Sequence, residues 1–146
     1  INTPQNLVHI ITDTAYGLRE EVKVFGSDYE SRDGSCVRDY IHVSDLSNAH
    51  TKAFKYLEVN PMVSLDVFNL GTGNGVTVLE AIKAFIKATG VNLKFSLSAR
   101  RAGDIAAIYA DNQKAQSVLG WKAESDIETI MKTAWEWEKV RRNVRV

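Results

Sequence analysis

The sequence predicts an α/β fold in which helices pack on a small mixed sheet. Four short runs have the composition of strands, namely Val22–Phe25 and residues 37–43, 65–70 and 93–97. The last three runs each lead, directly or through a loop, into a segment whose apolar residues recur every three or four positions. Strands that alternate with helices are typical of α/β proteins.

The composition is that of one soluble globular domain and gives no support to binding of nucleic acid. Of the 146 residues, 45% are apolar and 25% are charged, as is usual for a globular domain. The 18 basic and 18 acidic side chains balance, so no overall field attracts nucleic acid or an anionic membrane. We expect neither as a partner, and any phosphate must be bound by local groups.

Cysteine usage and hydropathy favour a cytoplasmic protein. Cys36 is the single cysteine, so no internal disulfide can form, and no Cys and His residues have the spacing of a zinc site. No apolar run approaches the ~20 residues of a membrane span, and the first residues lack the pattern of a signal peptide. We therefore expect a soluble, cytoplasmic protein that binds no metal.

The first predicted element is an amphipathic helix. Thr3 followed by Pro4 is a favourable start, because Pro suits the first helical position and Thr accepts hydrogen bonds from free amides. Leu7 and Ile10 belong to its apolar stripe, and Gly17 weakens its end.

An arginine in the second strand-like run, Arg38, is the first candidate binding residue. It lies in the otherwise apolar segment 37–43, which hands over to a helix with Ser44 as the expected N-cap. A guanidinium binds phosphate through two parallel hydrogen bonds, which suggests an anionic ligand. An ion pair with Asp39 or Asp45 accounts for Arg38 equally well, so spacing alone leaves both interpretations open.

The third strand-like run, residues 65–70, leads through the glycine-rich loop 71–75 into a helix. Thr77 and Glu80 have the spacing of a capping box, and Gly90 is expected to end this helix. Strand, glycine loop and helix in this order are typical of phosphate sites. The glycine spacing is not G-x-G-x-x-G, however, and no P-loop lysine follows. We therefore assign the segment a packing role and no cofactor contact.

The fourth strand-like run, residues 93–97, leads into a charged loop that contains Arg100, Arg101 and Asp104. Guanidinium groups suit a diphosphate, and a carboxylate suits the hydroxyls of a ribose or sugar. The same pattern also fits a solvated loop, so it is unspecific on its own.

Capping signals define the two helices that close the chain. The shorter helix is expected to have Asp111 as its N-cap and to end at Gly120. The longer helix is expected to open with a capping box of Ser125 and Glu128 and to run to about Arg142.

Two motifs resemble the UDP-glucose 4-epimerases, members of the extended short-chain dehydrogenase/reductase family that act on nucleotide sugars. The motifs are Val37-Arg-Asp-Tyr-Ile-His-Val43 and Arg100-Arg-Ala-Gly-Asp104, and the similarity runs from about residue 5 to residue 139. The resemblance implies that residues 1–146 are the C-terminal, substrate-binding part of such an enzyme, without most of the Rossmann domain. It also implies that the strand, loop and helix of residues 65–90 pack on the NAD-binding domain.

The resemblance implies a UDP-sugar site built from separate segments. The positions that match Arg38 and Arg101 hold the diphosphate, and the position that matches Asp104 holds a ribose hydroxyl. Ile108 matches a position that lines the sugar pocket, where side-chain size bears on whether an N-acetyl group fits. Residues 23–25 lie beside the uracil. The implied substrate-binding residues are Asn6, Leu7, Lys23, Val24, Phe25, Arg38, Arg101, Asp104 and Ile108.

The resemblance further implies chemistry whose residues this sequence does not contain. Nothing in it matches the family's glycine-rich NAD loop, its Tyr-x-x-x-Lys pair or its catalytic Ser/Thr. We therefore expect no catalytic, cofactor-binding or metal-binding residue in the chain, and no activity from residues 1–146 alone. The intact enzyme is expected to use NAD and to form a homodimer.

Two alternatives remain open at this point. One keeps the architecture but changes the reaction to that of another UDP-sugar epimerase or dehydratase of the family, for example one that acts on UDP-N-acetylhexosamines. The other is a nucleotide-binding module without catalysis.

Overall fold

The computed structural model describes residues 6–143 and has the expected α/β character. These residues form four short strands and five helices in mixed order, which confirms the predicted class. In chain order they are α1 (Leu7–Ala15), β1 (Val22–Phe25), β2 (Val37–Arg38), α2 (Val43–Val59), β3 (Val76–Thr77), α3 (Val78–Thr89), β4 (Phe95–Ser98), α4 (Gln113–Leu119) and α5 (Ile127–Asn143).

The strands form two small sheets, where the sequence predicts one mixed sheet. β1 and β4 pair in parallel, with Phe25 opposite Ser98 at the end of the ladder. β2 and β3 pair antiparallel, and Val37 also makes a parallel bridge to Ala107. Because β1 and β4 are parallel, the loops that follow them leave from the same edge of their sheet.

The main core lies between β1 and the helices α1, α3 and α5. A second, smaller cluster contains Ala49, Ala115 and Trp121, and the Trp121 indole Nε1 donates a 2.9 Å hydrogen bond to the carbonyl oxygen of Asp45. The buried side chains of the main core are Ile11, Val22, Val24, Ala81, Ile82, Ala84, Phe85, Leu93 and Met131.

The strand predicted over residues 37–43 is much shorter than expected. β2 ends at Arg38, because its partner β3 offers only two residues for pairing. The next helix starts at Val43, and its N-cap is His42 in place of the predicted Ser44. The His42 ring accepts a 3.1 Å hydrogen bond from the amide of Ser44, which satisfies one of the free amides of the first turn.

Residues 65–70, predicted to be a strand, have no strand structure. The described residues supply no partner strand for them, and a strand requires a partner to accept its backbone hydrogen bonds. Leu65 and Val67 are exposed, whereas Phe68 and Leu70 pack on the smaller core cluster. That residues 65–90 pack on an NAD-binding domain stays a prediction.

Several predicted helix ends are confirmed and others move by one or two residues. The capping box of Thr77 and Glu80 forms, and Gly90 ends α3. Gly120 ends α4, but its N-cap is Asn112 in place of Asp111. Asp126, where Ser125 was predicted, caps α5 by accepting a 2.8 Å hydrogen bond from the amide of Thr129. The start predicted at Thr3 and Pro4 lies outside the described residues, and α1 begins at Leu7 with Asn6 as N-cap.

An ion pair joins the loop after β1 to the start of α3. Both carboxylate oxygens of Glu80 accept hydrogen bonds from Arg32, at 2.8 and 2.7 Å, and one oxygen also accepts from the amide of Thr77. The hydrogen bond from Arg32 is the main reason why the pKa of Glu80 falls from 4.5 to about 2.

This shift predicts how Glu80→Gln affects stability at different pH values. Because the folded-state pKa is depressed, the contribution of Glu80 is present above pH 4.5 and is lost as pH falls through about 2. The Glu80 side chain is 37% exposed, so solvent screening limits its contribution to about 1 kcal/mol. In urea unfolding of the full-length protein, we expect Glu80→Gln to cost that amount at pH 7 and progressively less from pH 4.5 downward.

The control is Glu136→Gln, which removes an exposed ion pair with Lys139 within one helix. We expect its effect at pH 7 to be smaller than that of Glu80→Gln. A difference between wild type and Glu80→Gln that stays constant from pH 7 to pH 3 would contradict this account.

Candidate binding site

A cavity of about 290 Å³ lies between α1, β1, β2 and the loop after β4. Its wall combines apolar side chains with three cations and one carboxylate. The residues that line it are Leu7, Ile10, Lys23, Phe25, Cys36, Arg38, Tyr40, Val78, Arg101 and Asp104.

The alternation of β1 explains which of its side chains reach the cavity. Successive side chains of a strand point to opposite faces. Val22 and Val24 are buried in the main core, and Lys23 and Phe25 therefore lie on the cavity side. The structure thus separates Val24 from the other two predicted uracil contacts.

The same two-residue alternation governs the segment that starts before β2. Cys36, Arg38 and Tyr40 all line the cavity. Asp39, between two of them, makes its hydrogen bonds elsewhere: Oδ1 accepts from the amide and hydroxyl of Thr72, and Oδ2 accepts from the amide of Ala110. The carboxylate of Asp39 therefore holds the surrounding loops and does not pair with Arg38.

Two arginines from distant parts of the sequence meet at Asp104. The Arg101 guanidinium donates a 2.8 Å hydrogen bond to Asp104 Oδ1, and Nη2 of Arg38 lies 3.7 Å from the same oxygen. Nη1 of Arg38 donates to the carbonyl oxygens of Val37 and Ile105, both at 2.8 Å. These two hydrogen bonds fix the position of the Arg38 guanidinium at the edge of the cavity.

The site has the electrostatics of an anion-binding pocket. The Arg101 guanidinium lies 5.4 Å from the centre of the Phe25 ring, and its hydrogen bond to Asp104 raises the pKa of Arg101. Lys23 adds a third cation, while Asp104 is the single carboxylate in the wall. Three cations around an apolar floor suit a ligand that joins a flat ring to phosphate groups.

Tyr40 is a cavity residue that the sequence analysis missed. Burial is the main reason why the pKa of its phenol rises to about 12, against the opposing effect of Arg38. A phenol is protonated at neutral pH even at its ordinary pKa, so the hydroxyl can donate a hydrogen bond to an anion. Its position two residues after Arg38 in an extended segment was the available signal.

Six of the nine predicted substrate-binding residues line this cavity, and three do not. Asn6 caps α1 by accepting a 3.0 Å hydrogen bond from the amide of His9, and Val24 is in the core. Ile108 is 54% exposed in an adjoining open groove, which Arg38 also lines. Ligand contacts by any of the nine stay predictions. The six at the cavity are Leu7, Lys23, Phe25, Arg38, Arg101 and Asp104.

Within residues 6–143, no group of three or more His, Cys, Asp and Glu side chains is placed to hold a metal ion. In the same part of the chain, every helix is too short or too polar to cross a membrane.

Comparison with known proteins assigns the chain to a family. Residues 2–134 match the family model described as GDP-mannose 4,6 dehydratase. The chain belongs to the GDP-mannose 4,6 dehydratase family. The match covers both of the motifs on which the sequence resemblance rests.

Relatives of the chain include UDP-glucose 4-epimerases. The chain is 45% identical to that of Haemophilus influenzae over 136 residues, which are 93% of this chain and 40% of the relative. A crystal structure of the Stenotrophomonas maltophila enzyme with NAD and formylated UDP-arabinopyranose superimposes with a TM-score of 0.93 at 43% identity, covering 98% of this chain and 42% of the other. The Bifidobacterium longum enzyme with NAD⁺ and UDP gives 0.84 at 41% identity, covering 97% and 42%. The predicted resemblance to this group is confirmed, and the chain spans about two fifths of the length of these relatives.

Proposed function

We propose that this chain is the UDP-sugar-binding part of a UDP-glucose 4-epimerase. The observation that carries the proposal is the convergence of Arg38 and Arg101 on one cavity that also presents Phe25 and Lys23. Two guanidinium groups from separate segments suit a diphosphate, and an aromatic side chain beside them suits a nucleobase. Relatives of this family that bear the name UDP-glucose 4-epimerase support the choice of ligand.

In this proposal each part of the cavity has a distinct task. Arg38 and Arg101 hold the diphosphate, and the phenol of Tyr40 donates a further hydrogen bond to it. Asp104 accepts from a ribose hydroxyl once phosphate has taken over its arginine partners. Lys23 and Phe25 border the uracil. The strong interactions thus fall on UDP, which anchors the nucleotide and leaves the hexose free to turn.

The glycine-rich loop of residues 71–75 lacks the glycine spacing of an NAD-binding loop. The loop of residues 71–75 already binds protein groups, because the amide of Thr72 donates to Asp39 and the carbonyl oxygen of Gly75 accepts from Arg32. We therefore assign the transient NAD-dependent oxidation at C4 of the hexose to other parts of the intact enzyme. In this proposal the enzyme serves galactose metabolism in the cytoplasm and is a homodimer.

A second candidate is an epimerase that accepts UDP-N-acetylhexosamines. It is favoured by one observation, the position of Ile108 in an open groove of about 480 Å³ beside Arg38. Such a groove has room for a substituent larger than a hydroxyl. A comparison of turnover of UDP-galactose and UDP-N-acetylgalactosamine by the full-length protein distinguishes the two candidates.

We expect the full-length protein to convert UDP-galactose to UDP-glucose with NAD⁺, and residues 1–146 alone to give no turnover. The reason is that the sequence contains no Tyr-x-x-x-Lys pair to move the proton of the 4-hydroxyl. Chromatographic separation of the two UDP-hexoses measures the conversion. A full-length protein that binds UDP but leaves UDP-galactose unchanged would contradict the epimerase assignment while preserving the binding site.

A further inference from the structure

The neighbouring arginines of the loop after β4 have different partners. Arg101 faces the cavity, where it contacts Asp104 and Phe25. Arg100 lies outside the cavity wall and faces the loop after β1. The two side chains are adjacent in sequence, but Arg101 contacts cavity residues and Arg100 contacts the loop after β1.

Arg100 holds the loop after β1 by three contacts. Its Nε donates a 2.8 Å hydrogen bond to Asp28 Oδ1, and its Nη2 donates a 2.7 Å hydrogen bond to the carbonyl oxygen of Asp28. Its guanidinium also lies 4.2 Å from the centre of the Tyr29 ring, a cation–π distance. The guanidinium of Arg100 thus contacts a carboxylate, a carbonyl oxygen and an aromatic ring.

Tyr29 is a fixed platform for this contact. The residue is buried, and its amide donates a 3.0 Å hydrogen bond to the carbonyl oxygen of Gly34. Its ring packs directly on the backbone of Gly26, where a Cβ atom would lie only 2.2 Å from the ring. A side chain other than hydrogen at that position would displace the ring.

Arg100 connects the loop after β1 with the loop after β4, beyond the point where the β1–β4 ladder ends. The β1–β4 ladder ends at Phe25 and Ser98, apart from one further hydrogen bond from the amide of Gly26 to the carbonyl oxygen of Ser98. Between residues 26–34 and 99–104 of the described chain, both direct hydrogen bonds come from Arg100. Arg101 directly follows Arg100, and Phe25 lies three residues before Asp28.

We propose that Arg100 is a positioning residue that fixes the loop of residues 99–104, so that Arg101 faces the cavity. The proposal rests on the proposed function, because it assigns Arg101 to the diphosphate. Arg100 itself does not line the cavity. Its contribution to UDP binding should therefore act through Arg101.

A double-mutant cycle on UDP binding tests this coupling in the full-length protein. We expect Arg100→Gln to weaken UDP binding about fivefold, the scale of one exposed ion pair with a cation–π contact. In the Arg101→Ala background, the same substitution should have no further effect, since the group that it positions is gone. Calorimetric titration gives the four affinities, and the thermal unfolding midpoint of each variant confirms that it is folded.

The matched control is Arg32→Gln. Arg32 and Arg100 are similarly exposed, at 54% and 51% of the side chain, and each forms an ion pair with a carboxylate. The guanidinium of Arg32 donates three hydrogen bonds and that of Arg100 donates two. Arg32→Gln therefore removes the same charge and should leave UDP affinity unchanged. A loss of affinity as large as that of Arg100→Gln would show that loss of charge explains the effect and would overturn the proposal.

The measured affinities test the positioning role of Arg100 and the binding role of Arg101 separately. An effect of Arg100→Gln that is equally large in both backgrounds, or no effect at all, would overturn the positioning role and leave the binding site intact. If Arg101→Ala alone leaves UDP affinity unchanged, the assignment of the diphosphate fails and the positioning role fails with it.

Discussion

Arg101→Ala should weaken UDP binding by about one to two orders of magnitude in the full-length protein. A hydrogen bond to a charged partner contributes roughly 1.5–3 kcal/mol, and each 1.4 kcal/mol is about a tenfold change in affinity. The substitution also leaves Asp104 in the cavity with one fewer cation beside it. Arg38 is then the cation that remains beside Asp104, so the carboxylate repels a diphosphate more strongly than in the wild type.

Calorimetric titration of UDP measures this effect, and NAD⁺ affinity is the internal control. We expect NAD⁺ binding to be unchanged, because the loop of Arg101 has no dinucleotide-binding motif. Wild-type UDP affinity in the variant would return Arg101 to the role of a surface ion-pairing residue.

Arg38 differs from Arg101 in that two backbone carbonyl oxygens fix the position of its guanidinium. A lysine at this position has one ammonium group and cannot donate to Val37, to Ile105 and to a phosphate in the same geometry. Arg38→Lys therefore tests the importance of the planar fork, whereas Arg101→Ala tests the importance of a charge. The two variants together distinguish a precise diphosphate clamp from a general basic patch.

Local sequence patterns were sufficient for the features that depend on neighbours in the chain. The capping box of Thr77 and Glu80, the ends at Gly90 and Gly120, and the strand Val22–Phe25 all follow from such patterns. The alternation of β1 also contained the information that Val24 faces away from Lys23 and Phe25. A two-residue period, applied strictly, would have removed Val24 from the predicted site.

Tertiary contacts decided the features that the sequence could not. Both Ser125 and Asp126 have side chains that can cap a helix, but the amide of Ser125 donates to Asp45 Oδ2 at 3.0 Å, and α5 begins after Asp126. The partner of Arg38 likewise could not be found from spacing. Neither Asp39 nor Asp45 pairs with it, whereas Asp104, far along the chain, lies 3.7 Å away.

Residues 65–70 show a further limit of sequence patterns. Their apolar and β-branched composition predicts a strand, but composition does not provide a partner for the backbone hydrogen bonds. The segment instead contacts the smaller core cluster through Phe68 and Leu70. An ion pair between Asp66 and Lys114 also attaches it to α4.

Asp39→Ala should destabilise the full-length protein by about 2–4 kcal/mol. The carboxylate of Asp39 accepts hydrogen bonds from the amides of Thr72 and Ala110 and from the Thr72 hydroxyl. Its removal leaves two partly buried amides without their partner, and each such loss costs roughly 1–3 kcal/mol. The substitution also releases the segments at Thr72 and Ala110 from the segment that contains Arg38 and Tyr40.

Urea unfolding compares this variant with Asp111→Ala, which removes a carboxylate that accepts one exposed amide hydrogen bond, from Gln113. We expect the control to cost less than about 1 kcal/mol, because water replaces the lost partner of an exposed amide. Asp39→Asn should fall between the two, since its amide oxygen still accepts from Thr72 while its NH₂ group cannot accept from Ala110. If the free energy of unfolding falls no more in Asp39→Ala than in Asp111→Ala, the segments at Thr72 and Ala110 do not depend on this carboxylate. The alternation between cavity-lining residues and Asp39 along the segment from Cys36 to Tyr40 would then not contribute to stability.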